Sequence, residues 1–211
     1  MLTRLLKADH SGIEQAAQAM KNGALVAYPT DTVYGLGCDP FNTETVQRLI
    51  TSKARTGGGL PLLVGSVEKA LEIARMDNAS LRLAERFWPG PLTLVVPAEI
   101  LLPSHVTGPS NTVGLRVPNR WETLQLIKQF GGAIVGTSAN LSGRAAAKSA
   151  KEVLETLAGR IDIVLDGGEA SLGVESTVVR VEHGEIDVLR EKAISSKEIF
   201  DTLGIEPVRV G

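Results

Sequence analysis

A single cysteine, Cys38, excludes an internal disulfide, and no metal-ligand spacing surrounds it. A lone cysteine of this kind reads as a small buried apolar residue rather than a nucleophile. The three histidines, His10, His105 and His183, lie far apart in loop-like surroundings and read as surface residues. With no nucleophile elbow and no Walker motif, a histidine-dependent hydrolase and a zinc enzyme are both disfavoured. Net positive charge is missing too. Lys and Arg number 22 against 24 Asp and Glu, a net charge of −2, so no global field recruits nucleic acid, although basic residues need not be evenly spread. Aromatic residues make up only 4%, few for stacking on bases. No window approaches the ~18 apolar residues of a membrane span. The N-terminus has no apolar core followed by a cleavage site, so the chain reads as cytoplasmic. There is no repeat, low-complexity stretch or linker. What is present is ordinary: 43% hydrophobic and 22% charged residues in 211, enough for a proper core and one domain over 1–211.

The stretch from Ala27 to Pro40 organises the rest. A short apolar run, Ala24 to Ala27, ends in Tyr28-Pro29-Thr30-Asp31-Thr32-Val33-Tyr34-Gly35-Leu36-Gly37. A strand that opens into hydroxyls and glycines is a common place for an α/β protein to bind something small and polar, with glycine admitting a close backbone approach. An ordinary strand-to-helix connection reads equally well, because Gly35-x-Gly37 lacks the third glycine of a dinucleotide fingerprint. Helices are predicted over 12–22, from the N-cap Asn42, over 66–74, over 78–88, over 121–130, from a capping box at Ser149 and Glu152, and from a second at Ser195 and Glu198. Strands are predicted over 60–64, 92–96, 112–117, 133–135 and 161–165, with a hairpin of 178–181 and 186–189 about His183-Gly184. Gly57-Gly58-Gly59 reads as mobile unless a ligand orders it. Strands that alternate with helices and also pair locally predict a mixed α/β fold, an α+β arrangement with one twisted mixed sheet and flanking helices.

Several strands open into polar segments that suit a small zwitterion and a phosphate chain: Pro29 to Thr32, Arg116-Val117-Pro118, Thr137 to Asn140 and Glu175-Ser176-Thr177. Lys53, Arg55, Arg116 and Arg190 form a candidate anion site of four cations. Taken singly, Lys53 and Arg190 read as solvated surface residues. Arg116 differs: it sits in a strand that reads as buried, and a buried arginine needs an anion.

Taken in order, these segments resemble the YrdC-like family of threonylcarbamoyl-AMP synthases. The likeness runs from Tyr28 to about Arg190 and includes Lys53-Ala54-Arg55, Trp88-Pro89-Gly90-Pro91-Leu92-Thr93, Gly114 to Pro118, Thr137-Ser138-Ala139-Asn140-Leu141-Ser142-Gly143 and Glu175 to Val179. The resemblance implies the YrdC-like fold with a concave ligand-binding face, in a short form without the extra C-terminal domain of longer relatives. It implies that L-threonine, bicarbonate and ATP give threonylcarbamoyl-AMP and pyrophosphate, with Mg2+ carried by the nucleotide and no protein side chain as metal ligand. A separate transferase would then modify tRNA, with room for a weak RNA contact and no membrane. Lys53 and Arg55 match the catalytic K-x-R signature at the triphosphate. Thr112, Ser138, Asn140 and Arg190 match further ATP contacts. Thr30, Thr32, Tyr34, Arg116 and Ser176 match the threonine pocket, Arg116 at the carboxylate.

The chain departs from the family pattern at Thr56-Gly57-Gly58-Gly59, at Ala145-Ala146-Ala147-Lys148, where a hydroxyl for the nucleotide is lost, and at Glu191-Lys192 after Arg190. These changes bear on ATP affinity and on the order of the loop at 56–60. Two other functions stand beside the synthase: an RNA-binding paralogue with weak or no synthase activity, and a carbamoyl-transfer domain of the hydrogenase-maturation type. The latter predicts zinc-finger cysteines, which this chain lacks.

Overall fold

The computed structural model describes residues 2–55, 57–107, 110–182 and 184–205. Thr56 of the glycine loop and His183 of the expected hairpin turn lie outside these. In chain order the elements are β1 (Arg4–Lys7), α1 (His10–Lys21), β2 (Val26–Tyr28), β3 (Gly35–Gly37), α2 (Thr43–Ser52), β4 (Leu62–Leu63), α3 (Val67–Leu71), α4 (Asn78–Phe87), β5 (Leu92–Pro97) and α5 (Ser104–Thr107). They continue with β6 (Thr112–Arg116), α6 (Trp121–Phe130), β7 (Ile134–Val135), β8 (Thr137–Ser138), α7 (Ala150–Leu157), β9 (Ile163–Asp166), β10 (Thr177–Glu182), β11 (Glu185–Arg190) and α8 (Ser196–Leu203). The mixed α/β class holds, but the single sheet expected from sequence is divided. One sheet runs β1-β9-β2-β3-β8 and the other β11-β10-β5-β6-β4-β7.

The division falls at Gly136. Before it, β7 pairs with β4 in the second sheet; after it, β8 pairs with β3 in the first. A Cβ at Gly136 would stand 2.5 Å from Leu63 Cγ, so only glycine lets the chain cross so close to β4. Val135 donates its N–H to the Cys38 carbonyl at 3.0 Å, which ties the sheets along this seam. Cys38 is fully buried there and burial pushes its thiol up to about 12, an inert core position.

The helices begin where capping chemistry places them. Asn42, Ser66 and Asp77 each accept from a backbone N–H of the following first turn, and Ser195 with Glu198 forms a reciprocal capping box. The box expected at Ser149 is half formed: Ser149 accepts from Glu152 N–H, but the Glu152 carboxylate accepts from the Lys148 N–H at 2.8 Å. The larger core joins both sheets through residues such as Leu36, Val46, Leu62, Leu94, Leu115, Val153 and Val179. A second core lies under α1 and α6, from Ile13, Ala16 and Met20 to Leu126, Ile163 and Leu165. Among the described residues no helix is long and apolar enough to cross a membrane.

Thr177, fully buried at the start of β10, fixes the turn into α8. Its hydroxyl donates to Ile194 O at 2.7 Å and accepts from the N–H groups of Lys192 and Ile194 at 3.0 and 2.9 Å. Thr177→Val keeps the shape and strands those buried backbone groups, so it should destabilise the protein by about 2–4 kcal/mol. Urea denaturation measures this; a loss below ~1 kcal/mol would show that the groups find other partners.

Candidate active site

Strand ends from both sheets, with the loops that follow them, surround one cavity of about 380 Å3. Thr30, Thr32, Tyr34, Lys53, Arg55, Arg116, Ser138, Asn140, Ser176 and Arg190 all line it. Of the residues singled out in the sequence, only Thr112 does not. It begins β6, and Arg116 ends it, about 13 Å away at the usual rise of an extended strand. The Thr112 hydroxyl bonds instead with that of Ser110, at 3.0 Å.

Arg116 is buried, 6% exposed, and every nitrogen of its guanidinium is engaged. Nε donates to Gly90 O at 2.9 Å, Nη1 to Thr32 Oγ1 at 2.9 Å and Nη2 to Asp31 Oδ1 at 2.6 Å. Burial pulls its pKa below the usual arginine range, and Asp31 pulls back. Each terminal nitrogen still carries a second N–H, so the fork can grip a further anion. Asp31 also accepts from the Asn119 N–H at 3.0 Å, while its Oδ2 is buried with no hydrogen-bond partner among the described residues. Thr30 holds this loop in shape by donating to Val33 O at 2.6 Å and sharing a hydrogen bond with Thr32 at 2.9 Å.

Lys53 is only 3% exposed, so the surface reading fails for it. It caps α2, and its ammonium donates to Ser138 O, to Asn140 O at 2.8 Å and to Asn140 Oδ1 at 3.3 Å. Ser138 Oγ donates to the same Oδ1 at 2.5 Å, and the Asn140 amide donates to the carbonyls of Leu141 and Arg144. Ser142 N–H returns to Lys53 O at 2.9 Å. The lysine and the Ser138-to-Ser142 loop are thus one knotted unit. Burial first, and the charge of Arg55 second, lower the Lys53 pKa to about 8, against a smaller pull from Glu175.

Arg55 spans the glycine loop, donating to Gly57 O at 3.2 Å and Gly59 O at 3.1 Å. A Cβ at Gly59 would stand 2.6 Å from Val106 O, and Leu60 N–H donates to that same carbonyl at 3.0 Å. These contacts hold the described part of the loop against Arg55 and the Val106 carbonyl. Arg190 donates to Ser176 O at 3.0 and 3.1 Å and pairs with Glu175 at 3.4 Å. Ser176 Oγ in turn bonds Thr93 Oγ1 at 2.9 Å.

The model of the Sua5/YciO/YrdC family, described as "Telomere recombination", matches residues 18–192. The chain belongs to that family. A protein of Pyrococcus abyssi named threonylcarbamoyl-AMP synthase is 38% identical over 195 residues, 91% of this chain and 57% of its own length. One of Bacillus subtilis with the same name is 35% identical over 217 residues, 99% of this chain and 61% of its own. The crystal structure of P. abyssi Sua5 complexed with L-threonine superposes with a TM-score of 0.91 at 36% identity, covering 97% of this chain and 63% of that one. The chain thus spans about three fifths of the length of these relatives.

Within the Sua5/YciO/YrdC frame, several contacts go beyond the sequence reading. Gly35 lines the cavity, but the lack of a Cβ there and at Gly37 makes room for the protein itself: a Cβ on Gly35 would stand 2.6 Å from the Tyr28 ring, and one on Gly37 would meet Val135 O at 2.1 Å. The Tyr28 hydroxyl donates to that carbonyl at 2.7 Å. Tyr34 lines the cavity, yet its hydroxyl donates to Gly168 O at 2.7 Å and accepts from Gly167 N–H, bracing the turn after β9. Burial pushes that phenol up to about 12. The sequence alone gives Asp31 and Glu175 no role. A signal for Asp31 exists: a buried arginine demands an anion, and this aspartate stands between two hydroxyl residues of the organising loop.

Proposed function

We propose that this chain makes threonylcarbamoyl-AMP from L-threonine, bicarbonate and ATP, releasing pyrophosphate. The observation that carries the reading is the convergence of Lys53, Arg55, Arg116 and Arg190, beside the hydroxyls of Thr30, Thr32, Ser138 and Ser176, on a single cavity. The ammonium of threonine loses a proton to solvent, and the free amine and bicarbonate then give a carbamate and water. A carbamate oxygen then attacks the α-phosphorus, and pyrophosphate leaves with the electrons of the broken P–O bond. Nucleotidyl transfer of this kind needs positioning and charge neutralisation rather than a covalent nucleophile. Lys53, Arg55 and Arg190, with Ser138 and Asn140, would hold the triphosphate, and Arg116 the threonine carboxylate. Thr112 would serve the nucleotide only if the ligand extends along β6.

Magnesium suits a site of this composition when it enters on the nucleotide, held by phosphate oxygens and water. Among the described residues no group of three His, Cys, Asp or Glu side chains is placed to hold it. A one-domain chain, a cytoplasmic location, delivery of the product to a separate tRNA-modifying transferase and at most a weak RNA contact complete the proposal. The decisive measurement is pyrophosphate release from ATP. Release should require both L-threonine and bicarbonate and should not require RNA. Turnover independent of threonine, or binding dominated by RNA and lost steeply with salt, would overturn the reading.

A further inference from the structure

We propose that Glu175 seats the ammonium group of L-threonine, so that the site selects an α-amino acid over the same molecule without its amine. The inference rests on the reading of the cavity as a threonine and nucleotide site. A free amino acid arrives as a zwitterion, and its two charges need opposite partners a few ångströms apart. The cavity wall supplies four cations but, among the described residues, one carboxylate: Glu175. Without it, the charged side chains of the wall, Lys53, Arg55, Arg116 and Arg190, would offer the ammonium no opposite partner.

Asp31 is the competing acceptor, and the geometry excludes it. Its Oδ1 already serves Arg116 and Asn119, its Oδ2 is sealed from solvent, and Asp31 does not line the cavity. It stands behind Arg116, while Glu175 opens onto the ligand space. Glu175 is also next to the right groups. It precedes Ser176, whose hydroxyl reaches Thr93 and lies 3.3 Å from Arg190. Arg190 holds Glu175 at 3.4 Å and is near enough for its charge to act on Arg116. Arg190 therefore links the carboxylate that would take the ammonium to the part of the wall that carries Arg116, while the charge of Glu175 also reaches Lys53.

The existing partner of Glu175 is easy to exchange. At 3.4 Å the contact with Arg190 is long for a charge-assisted hydrogen bond, and both side chains are about a third exposed, 39% and 32%, so the pair is weakly held. Arg190 keeps its two bonds to Ser176 O when Glu175 turns to the substrate.

The test compares L-threonine with β-hydroxybutyrate of the matching configuration, which keeps the carboxylate, hydroxyl and methyl and lacks the amine. Binding of each to the protein with a non-hydrolysable ATP analogue is measured by calorimetry, for the natural chain and for Glu175→Gln. The natural chain should prefer L-threonine by about tenfold or more, the worth of a hydrogen bond between charged groups. Glu175→Gln should erase most of that preference by weakening L-threonine and not β-hydroxybutyrate, both measured at saturating nucleotide analogue so that any change in nucleotide affinity through Arg190 or Lys53 is separated. Glu175→Asp, which retains the charge, should fall between and covers the case in which the glutamine variant folds poorly. A preference unchanged in Glu175→Gln overturns the inference, as does a change confined to the Mg2+ dependence of nucleotide binding, which would make Glu175 a metal ligand. If the natural chain binds no L-threonine, the proposed function fails instead.

Discussion

Arg116→Ala should raise the Kd for L-threonine, the proposed substrate, by about a hundredfold or more, the usual loss when one side of a buried charged contact is truncated, and leave ATP affinity near its original value. The same substitution unfolds the protein more easily, for a separate reason. Asp31 is 7% exposed in its side chain and depends on Arg116 as its countercharge. Removing the guanidinium leaves a buried carboxylate unpaired, which costs about 3–5 kcal/mol. The two effects separate in the double variant Arg116→Ala with Asp31→Asn. Neutralising Asp31 should restore most of the stability lost and none of the threonine affinity. Chemical denaturation and threonine calorimetry on the natural chain and three variants measure both. A double variant that regains threonine binding would mean that Arg116 acts only as a structural partner of Asp31.

That pair also shows where sequence reading stops. The burial of Arg116 and its need for an anion are legible from the apolar residues beside it, but the family resemblance points only to a substrate carboxylate, and the fold supplies an anion of its own in Asp31. Periodicity has no information about which side of a buried guanidinium faces a cavity. The helices were legible because their signals are local: Asn42, Ser66 and Ser195 cap helices that begin at the next residue. The split of the sheet was not, because β7 and β8 are two residues each and their partners lie far away in sequence. β1 escaped as well, since its residues are mostly exposed and carry no buried alternation, while its pairing with β9 is long-range. Around the cavity, strand-end polar segments announced the lining residues. Their individual duties required contacts: Tyr34 turned to the Gly167–Gly168 backbone, and the glycines of β3 turned to Tyr28.

Lys53 should make nucleotide binding depend on pH in one direction only. The free protein holds this ammonium among carbonyls in a buried pocket, at a pKa of about 8 rather than the ordinary 10.5. An unfolded chain keeps the proton up to the ordinary value, so below pH 8 the buried charge is a cost to folding, and this group alone makes stability rise as pH climbs from 8 towards 10.5. A bound triphosphate reverses the electrostatics, because negative oxygens beside the amine raise its pKa again. Binding above pH 8 must then take up a proton, and affinity falls as pH rises, by up to about tenfold per unit. Calorimetry in buffers of differing ionisation enthalpy should register almost no uptake at pH 7 and close to one proton at pH 9. Lys53→Met should remove the uptake and lower turnover by about a hundred- to a thousandfold, the scale for deleting one donor aimed at developing charge. Uptake that persists in Lys53→Met belongs to another group. A methionine variant with full turnover would place the lysine in the architecture of the Ser138-to-Ser142 loop and outside the chemistry.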